Sequence, residues 1–245
     1  MNLILLQPDE VDSAGLCCLN GSRAKHVREV LRAEPGKPLR VGLLNGPLGA
    51  GVVDRIATEQ VVLRCAFETA PPPRPRVDLL LAMPRPKVMK RLWAQLAAFG
   101  VGRMVLLRAD KVERYYFDSH VIDPDFYTKL LLEGLQQARC THLPEVLIRP
   151  RFKPFVEDEL DALFPNHFKL LADPSGTKRM SDFFPDAASS QRILLAIGPE
   201  GGWTPYELEQ LAAHDFNLFG IGERILRSDT ATIGLLSVLA DRMAE

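Results

Sequence analysis

Short apolar runs alternate with amphipathic segments along the last two thirds of the chain. Five of these runs predict buried β-strands, at residues 77–83, 104–107, 168–172, 192–197 and 216–221. Helical periodicity predicts helices over residues 86–99, 126–139 and 229–243. Wholly apolar strands that alternate with helices are typical of a parallel sheet covered on both faces, so residues 77–245 are predicted to form an α/β domain.

A further helix is predicted to begin directly after Thr204. Thr204 suits the N-cap position, Pro205 suits the first helical position, and Glu207 completes a capping box. The threonine cap alone is worth about 1 kcal/mol. The chain is therefore expected to turn into a helix soon after the strand at 192–197.

The first 70 residues follow a different pattern. Residues 38–44 and 60–65 predict short strands, with turns supplied by Gly46, Gly49 and Gly51, and residues 25–32 predict one or two helical turns. Residues 1–70 are therefore predicted to form a small β-rich barrel. Four prolines at residues 71–75 can continue neither a helix nor a sheet ladder, so residues 71–76 are predicted to be a linker.

Composition narrows the class of protein. The chain has 245 residues, 47% of them hydrophobic and 25% charged, which excludes a disordered or collagen-like chain. No stretch approaches the roughly 20 apolar residues that cross a bilayer, and the apolar start is too short for a signal peptide. Four cysteines without CxxC spacing and five scattered histidines favour neither disulfides nor a metal site. We expect a cytoplasmic protein with no membrane or metal partner.

The small net charge conceals an uneven distribution. Residues 71–115 hold ten Lys and Arg against three Asp and Glu, whereas residues 156–245 hold seven against fifteen. The basic segment is either an electrostatic footprint for nucleic-acid phosphates or a solvated helix face. A third interpretation is that the two segments pair with each other when the chain folds.

Two glycine-rich loops follow predicted strands, GPEGGW at residues 198–203 and the segment at residues 220–231. Ligands of open α/β sheets bind at the carboxyl ends of strands, and glycines let backbone N–H groups approach a ligand. Neither loop has the GxGxxG spacing of a dinucleotide domain in its usual place, nor the GK[ST] of a P-loop. A ligand site and ordinary turns both remain open from the loops alone.

GPEGGW, a capped helix, IGERILRSDTA and an apolar terminal helix together resemble the SPOUT methyltransferases, specifically the ribosomal RNA small subunit methyltransferase E family. The family's first loop pattern is matched in full over residues 198–207. The second is matched at Gly222, Arg224, Ile225, Leu226, Arg227, Thr230 and Ala231. The family's N-terminal HxxxVLR segment is present as His26, Val30, Leu31 and Arg32.

The chain departs from the family pattern at three places. Asp229 stands where the family has an acidic residue one methylene longer, and residues 95–100 lose both charges of a KxxELG segment. The family's QSGR stretch reads QQAR at residues 136–139. These changes leave room for a second hypothesis, a noncatalytic RNA-binding or ribosome-assembly factor. A nicotinamide-dependent dehydrogenase would need a GxGxxG after the first strand of the α/β domain, which the chain lacks.

The resemblance implies an α/β domain with a parallel sheet and a deep trefoil knot at residues 77–245, preceded by a PUA-like β-barrel at residues 1–70. It implies a homodimer that uses S-adenosylmethionine to methylate N3 of a uridine in 16S rRNA, within the small ribosomal subunit. A cation near the uracil carbonyls would stabilise the anion that forms when the N3 proton leaves.

The resemblance also implies roles for individual residues. The expected cofactor-binding residues are Leu171, Asp173, Gly198, Pro199, Glu200, Gly201, Gly202, Ile221, Gly222, Ile225, Leu226 and Thr230. Arg227 and Arg139 are the candidate catalytic residues, and the candidate RNA contacts are His26, Arg32, Arg85, Lys87, Lys90 and Arg91.

Some of these roles compete with structural alternatives. For Arg227, contact with substrate or cofactor is favoured over a salt bridge to Asp229, whereas for Arg224 a structural ion pair is favoured. Trp203 is expected in the core, and Gly201→Val is expected to block cofactor binding by narrowing the pocket and resisting a positive φ.

Overall fold

The computed structural model describes residues 3–183 and 191–243. The chain forms two compact units. The first comprises Met1–Arg74 with Leu132–Leu143, and the second comprises Pro75–Leu131 with Pro144–Glu245. The first unit therefore includes a segment that lies, along the chain, between the two parts of the second unit. No helix among the described residues is long and apolar enough to cross a membrane.

The first unit is built on a five-stranded sheet. Its strands are β1 (Ile4–Leu6), β2 (Leu16–Asn20), β3 (Pro38–Leu43), β4 (Leu48–Ile56) and β5 (Gln60–Phe67). The strand order is β1-β3-β4-β5-β2, with β1 and β3 parallel and the other pairs antiparallel. Alternate residues of β5, such as Val61 and Leu63, are completely buried, which is the half-buried pattern expected of a sheet packed on one side.

Two local expectations for this unit are wrong. Gly49 and Gly51 lie inside β4 instead of in turns. A Cβ atom on Gly49 would lie 2.2 Å from the Ala66 carbonyl oxygen, so glycine is needed there for close backbone approach. The helical segment begins earlier than residue 25, as α1 (Gly21–Lys25), and continues as a π-helical turn over His26–Val30.

The second unit contains a six-stranded parallel sheet. Its strands are β6 (Val77–Ala82), β7 (Val101–Leu107), β8 (Glu145–Arg149), β9 (Phe168–Ala172), β10 (Ile193–Ile197) and β11 (Asn217–Phe219). The order is β11-β9-β10-β6-β7-β8, and every pair is parallel. β6 and β10 are buried along their whole length, as continuous apolar runs in a covered parallel sheet require.

The helices frame this sheet. They are α2 (Pro86–Ala98), α3 (Pro124–Ala138), α4 (Phe152–Pro154), α5 (Leu160–Leu163), α6 (Pro205–Ala213) and α7 (Ser228–Met243). Val88, Leu92 and Leu96 form the buried stripe of α2, and Trp93 donates its indole N–H to the Val121 carbonyl at 2.9 Å. Phe99 leaves this stripe and is partly exposed, because the helix ends at Ala98.

Strand β8 was not expected from the sequence, and β11 is shorter than the predicted run at 216–221. β8 is one of the two edge strands of the sheet, and its residues are exposed or half-buried. An edge strand buries little side-chain area, and the apolar run of β8 is only three residues long, Val146–Ile148, which is too short to indicate a buried strand.

A buried charged cluster lies at the amino ends of four strands, β6, β7, β9 and β10. Asp78, which is 2% exposed, accepts hydrogen bonds from Arg192 Nη2 at 2.7 and 2.8 Å, from Arg192 Nε at 3.2 Å and from the Arg103 backbone N–H at 2.7 Å. His167 Nε2 lies 2.7 Å from Asp78 Oδ2. Burial alone would raise the pKa of Asp78, but the bonds from His167 and Arg192 outweigh it and hold that pKa below its usual value.

Candidate functional site

Three neighbouring parallel strands, β9, β10 and β11, end at one pocket. Parallel strands present their carboxyl ends at the same edge of a sheet, which is where ligands of open α/β folds bind. The loop after each of the three strands contributes to the wall. The lining residues are Ala172, Asp173, Pro174, Ile197, Gly198, Pro199, Glu200, Gly202, Ile221, Gly222, Arg224, Ile225, Leu226, Ser228 and Ala231.

The loop after β10 is tightly packed on its inner side. A Cβ atom on Gly198 would lie 2.9–3.1 Å from the ring of Trp203, which is buried beneath the loop. Gly202 has a positive φ of 69°, and its N–H closes a turn on the Pro199 carbonyl at 2.9 Å. The loop can follow this path only with glycine at both positions.

Gly201 is not among the pocket residues. A Cβ atom there would lie 2.9 Å from Lys111 Cδ, and Lys111 Nζ donates to the Gly201 carbonyl at 2.7 Å. Gly201 also does not share the positive φ of Gly202. The expected mechanism of Gly201→Val is therefore wrong, because a valine side chain there would press on Lys111 and not on the pocket.

Helix α6 anchors the far end of this loop. The capping box is confirmed, since Glu207 Oε2 accepts the Thr204 N–H at 2.8 Å and the Thr204 hydroxyl accepts the Glu207 N–H at 3.3 Å. Glu207 Oε1 also accepts the Asp110 backbone N–H at 2.7 Å. This second bond ties the loop after β7 to the start of α6, which no local pattern in the sequence indicates.

The loop after β9 meets the loop after β11. Asp173 Oδ1 accepts the backbone N–H and the hydroxyl of Ser175 at 2.9 and 2.6 Å, so Asp173 both closes a turn and lines the pocket. A Cβ atom on Gly220 would lie 2.4 Å from the Gly176 carbonyl oxygen, which shows how closely the two loops pass. Leu171 is buried within β9 and is not a lining residue.

The loop between β11 and α7 exposes unusual apolar surface. Ile225 is 85% exposed, and Ile221 and Leu226 are also exposed although all three line the pocket. Gly222 has φ 114°, and a Cβ atom there would meet open space. Arg224 lines the pocket as well. It forms no ion pair with any residue that the structure describes, so the expected structural ion pair is absent from that part of the chain.

Asp229 joins two predicted functional arginines. Arg227 Nε lies 3.4 Å from Asp229 Oδ1, and Arg91 Nη2 lies 3.2 Å from Asp229 Oδ2. The alternative role of Arg227, a salt bridge to Asp229, is therefore present, although the Arg227 side chain is 68% exposed. Thr230 is exposed and its N–H donates to Asp229, and neither Thr230 nor Arg227 is a lining residue.

A family model described as "RNA methyltransferase domain" matches residues 71–240. The chain belongs to the RNA methyltransferase family. The match spans both glycine loops and most of α7, so the pocket at the ends of β9–β11 lies inside the matched region.

Curated relatives extend the match over nearly the whole chain. A Treponema pallidum protein named ribosomal RNA small subunit methyltransferase E is 27% identical over 98% of this chain and 90% of its own length. Its Borreliella burgdorferi counterpart, ribosomal RNA small subunit methyltransferase E 1, is 24% identical over 99% of both chains. The resemblance drawn from the sequence to this methyltransferase family is thereby confirmed.

Solved structures share the fold. The Neisseria gonorrhoeae ribosomal RNA small subunit methyltransferase E, bound to S-adenosylmethionine, superposes with a TM-score of 0.78 at 17% identity, covering 98% of this chain and 97% of that one. Legionella pneumophila Lpg2936, with the same cofactor bound, gives 0.73 at 23% identity over 98% and 97% of the chains.

Four of the cations expected to contact RNA lie in or directly before helix α2. Arg85, Lys87 and Lys90 are exposed at the start of α2, and Lys90 Nζ lies 5.8 Å from the Phe126 ring centroid. Arg91 differs, because its pairing with Asp229 ties it to the first turn of α7. A variant that removes Arg91 therefore removes both a positive charge and the ion pair to Asp229.

The remaining candidates belong to the first unit. Arg32 and Arg139 are exposed at positive φ values of 45° and 59°, and Arg139 follows directly after α3. His26 is half-buried, its Nε2 has no hydrogen-bond partner among the described residues, and burial lowers its pKa. Arg139 therefore belongs to the first unit, whereas the pocket residues belong to the second.

Proposed function

We propose that this protein is an S-adenosylmethionine-dependent methyltransferase that methylates N3 of a uridine in 16S rRNA. The observation that carries the proposal is the pocket at the carboxyl ends of β9, β10 and β11, built from the two glycine-rich loops and the loop after β9, all inside the RNA methyltransferase match. Relatives named ribosomal RNA small subunit methyltransferase E support the coarser part of this proposal, methylation of small-subunit rRNA.

The pocket residues fit the proposed cofactor. Ile197, Leu226 and Ala231 offer apolar walls for an adenine ring. Gly202 and Gly222, both at positive φ, keep side chains out of the space above the loops and leave the backbone accessible. Asp173 and Glu200 supply carboxylates for the hydroxyl and ammonium groups of the ligand.

When bound, S-adenosylmethionine would supply an electrophilic methyl group; its transfer to uridine N3 would release S-adenosylhomocysteine, and the N3 proton would pass to water. The residues of this chain hold the uracil in line with that methyl group, and alignment alone is worth several kcal/mol, roughly 7–11 in well-oriented systems. Arg227 is the proposed cation beside the uracil carbonyls, where a guanidinium stabilises the developing anion. Arg224, which lines the pocket, adds positive charge at the same edge.

The proposal includes the features that the resemblance implies. Residues 1–70 act as a PUA-like barrel that contacts RNA through His26 and Arg32, residues 71–76 link it to the methyltransferase domain at 77–245, and that domain carries a trefoil knot. Arg139 is proposed as a second cation for the RNA. The protein works in the cytoplasm on the small ribosomal subunit.

A homodimer forms part of the same proposal. Exposed apolar side chains around the pocket and on α7, namely Ile221, Ile225 and Val238, suit burial against a second copy. The protein is expected to sediment at about twice the 27.3 kDa mass of one chain. A single 27 kDa species at micromolar concentration would count against the dimer.

Two measurements on the purified protein test the function. Calorimetric titration with S-adenosylmethionine should give saturable binding, and incubation with small ribosomal subunits from a deletion strain should transfer one methyl group to 16S rRNA. Cofactor binding without transfer would point to a different substrate. No binding at millimolar cofactor would favour the noncatalytic RNA-binding alternative.

A further inference from the structure

A second groove opens at the same edge of the parallel sheet, beyond the proposed cofactor pocket. It lies at the carboxyl ends of β7 and β8 and is closed on one side by the first turn of α6. Its lining residues are Arg108, Ala109, Asp110, Val112, Arg114, Phe152, Lys153, Thr204, Tyr206 and Glu207. We refer to this set as the α6 groove.

Two of its cations have no partner among the residues that the structure describes. Neither the Arg108 nor the Arg114 guanidinium forms an ion pair or a side-chain hydrogen bond with a residue that the structure describes. Within the described part of the chain, Lys153 forms one ion pair, a long contact of 3.7 Å to Glu157 one turn further along. Arginine favours phosphate because its planar fork donates two parallel hydrogen bonds, so two free guanidiniums in one groove suit an anionic backbone.

The groove has two carboxylates, Asp110 and Glu207, against three cations, so its side chains carry net positive charge. Glu207, which is 2% exposed, is occupied by the N–H of Asp110 and by the N–H and hydroxyl of Thr204, at 2.7, 2.8 and 2.9 Å. The Asp110 side chain makes no hydrogen bond with another described residue. It therefore offers an acceptor to the amino or imino donors of a base.

An aromatic surface completes the groove. Tyr206 is 46% exposed at the start of α6, and its ring is held against buried Phe152 at a centroid distance of 6.5 Å. Phe152 in turn contacts Trp203 beneath the glycine loop, at 6.2 Å. An exposed ring fixed from behind is suited to stacking on a nucleobase, which every base allows.

The groove is coupled to the glycine loop of the proposed cofactor pocket. Lys111, on the loop after β7, donates to the Gly201 carbonyl at 2.7 Å, and Asp110 on the same loop is bonded to Glu207. We propose that the α6 groove binds one nucleotide of the RNA strand next to the methylated base, with Arg108 and Arg114 on phosphate and Tyr206 stacked on the base. This rests on the proposed RNA methyltransferase function.

The test measures binding of small ribosomal subunits from a deletion strain at several salt concentrations. Arg108→Ala/Arg114→Ala should bind about 100-fold more weakly than the wild-type protein, on the basis of roughly tenfold for each lost charged hydrogen bond. The log–log salt slope should fall by about 0.7 for each lost phosphate contact. Tyr206→Ala should weaken binding about tenfold through lost stacking, whereas Tyr206→Phe should bind normally.

Lys129→Ala/Arg242→Ala is the matched control, because it removes two exposed charges of the same unit outside the groove. It should change binding less than threefold. Affinity for S-adenosylmethionine should be unchanged in every variant, and circular dichroism checks folding. If the double arginine variant misfolds, Arg114→Ala and Tyr206→Ala carry the test alone.

Three outcomes separate the possibilities. Wild-type activity with unaltered subunit binding in the groove variants would overturn this inference and leave the proposed function intact. A loss of cofactor affinity in those variants would also overturn it, because the groove would then serve the cofactor pocket. A wild-type protein that neither binds nor methylates subunits would refute the proposed function, and the inference with it.

Discussion

Glu207→Ala should loosen the loop that forms the floor of the proposed cofactor pocket. The carboxylate accepts three hydrogen bonds of 2.7–2.9 Å, two from Thr204 at the helix cap and one from the loop after β7. Alanine removes all three and leaves a small cavity. Neighbouring Gly198 and Gly202 depend on this anchor, because residues 198–203 run directly into α6.

The magnitude follows from these contacts. Loss of a helix cap costs about 1 kcal/mol. Loss of the short bond from Asp110 to a buried carboxylate costs about 1.5–3 kcal/mol more. A total of roughly 2.5–4 kcal/mol lowers the melting temperature of a chain of this size by about 5–15 °C, at 2–4 °C for each kcal/mol. Glu207→Gln keeps the cap geometry but weakens the bonds, so its melting temperature should fall between those of the wild-type protein and Glu207→Ala.

Differential scanning calorimetry and cofactor titration measure the effect. Glu209→Ala is the matched control, since Glu209 is an exposed glutamate of the same helix, and it should shift stability by less than about 0.5 kcal/mol. Glu207→Ala should also bind S-adenosylmethionine at least tenfold more weakly. Equal melting temperatures for the Glu207 and Glu209 variants would refute the view that this carboxylate anchors the loop.

Three further outcomes are expected. Gly202→Val should bind S-adenosylmethionine at least tenfold more weakly in calorimetry while keeping a native circular dichroism spectrum, because valine resists the φ of 69°; unchanged affinity would place the cofactor elsewhere. The pKa of Asp78 is lower in the folded protein than its usual value, so its stabilisation is complete above about pH 4 and is lost as the pH falls through the folded pKa. The melting temperature of the wild-type protein should therefore drop more steeply with acid than that of Asp78→Asn, and parallel curves would contradict this. Lys87→Ala/Lys90→Ala should lower the salt slope of subunit binding by about 1.4 with unchanged cofactor affinity, whereas a loss of thermal stability with an unchanged slope would show that these lysines only balance the acidic half of the chain.

The sequence predicts the site best where local signals are strong. β10 is a continuous apolar run, the glycines that follow it are needed for backbone approach, and Thr204 with Glu207 marks the start of α6. Each of these features depends on residues within a few positions of one another. The loop and its helix can therefore be located from the sequence alone.

Contacts between distant segments could not be predicted in this way. Lys111 meets Gly201 and Asp110 meets Glu207 across about 90 residues or more, because β7 and β10 lie in one sheet. The apolar run of edge strand β8 is only three residues long. The pairing of Arg91 with Asp229 likewise depends on how α2 and α7 pack together.

Nucleoside mass spectrometry of 16S rRNA from a deletion strain tests the central claim most directly. The proposed function predicts that 3-methyluridine is lost from the small subunit, is restored by the wild-type gene, and is not restored by Gly202→Val. A 3-methyluridine content in the deletion strain equal to that of the parent strain would contradict it.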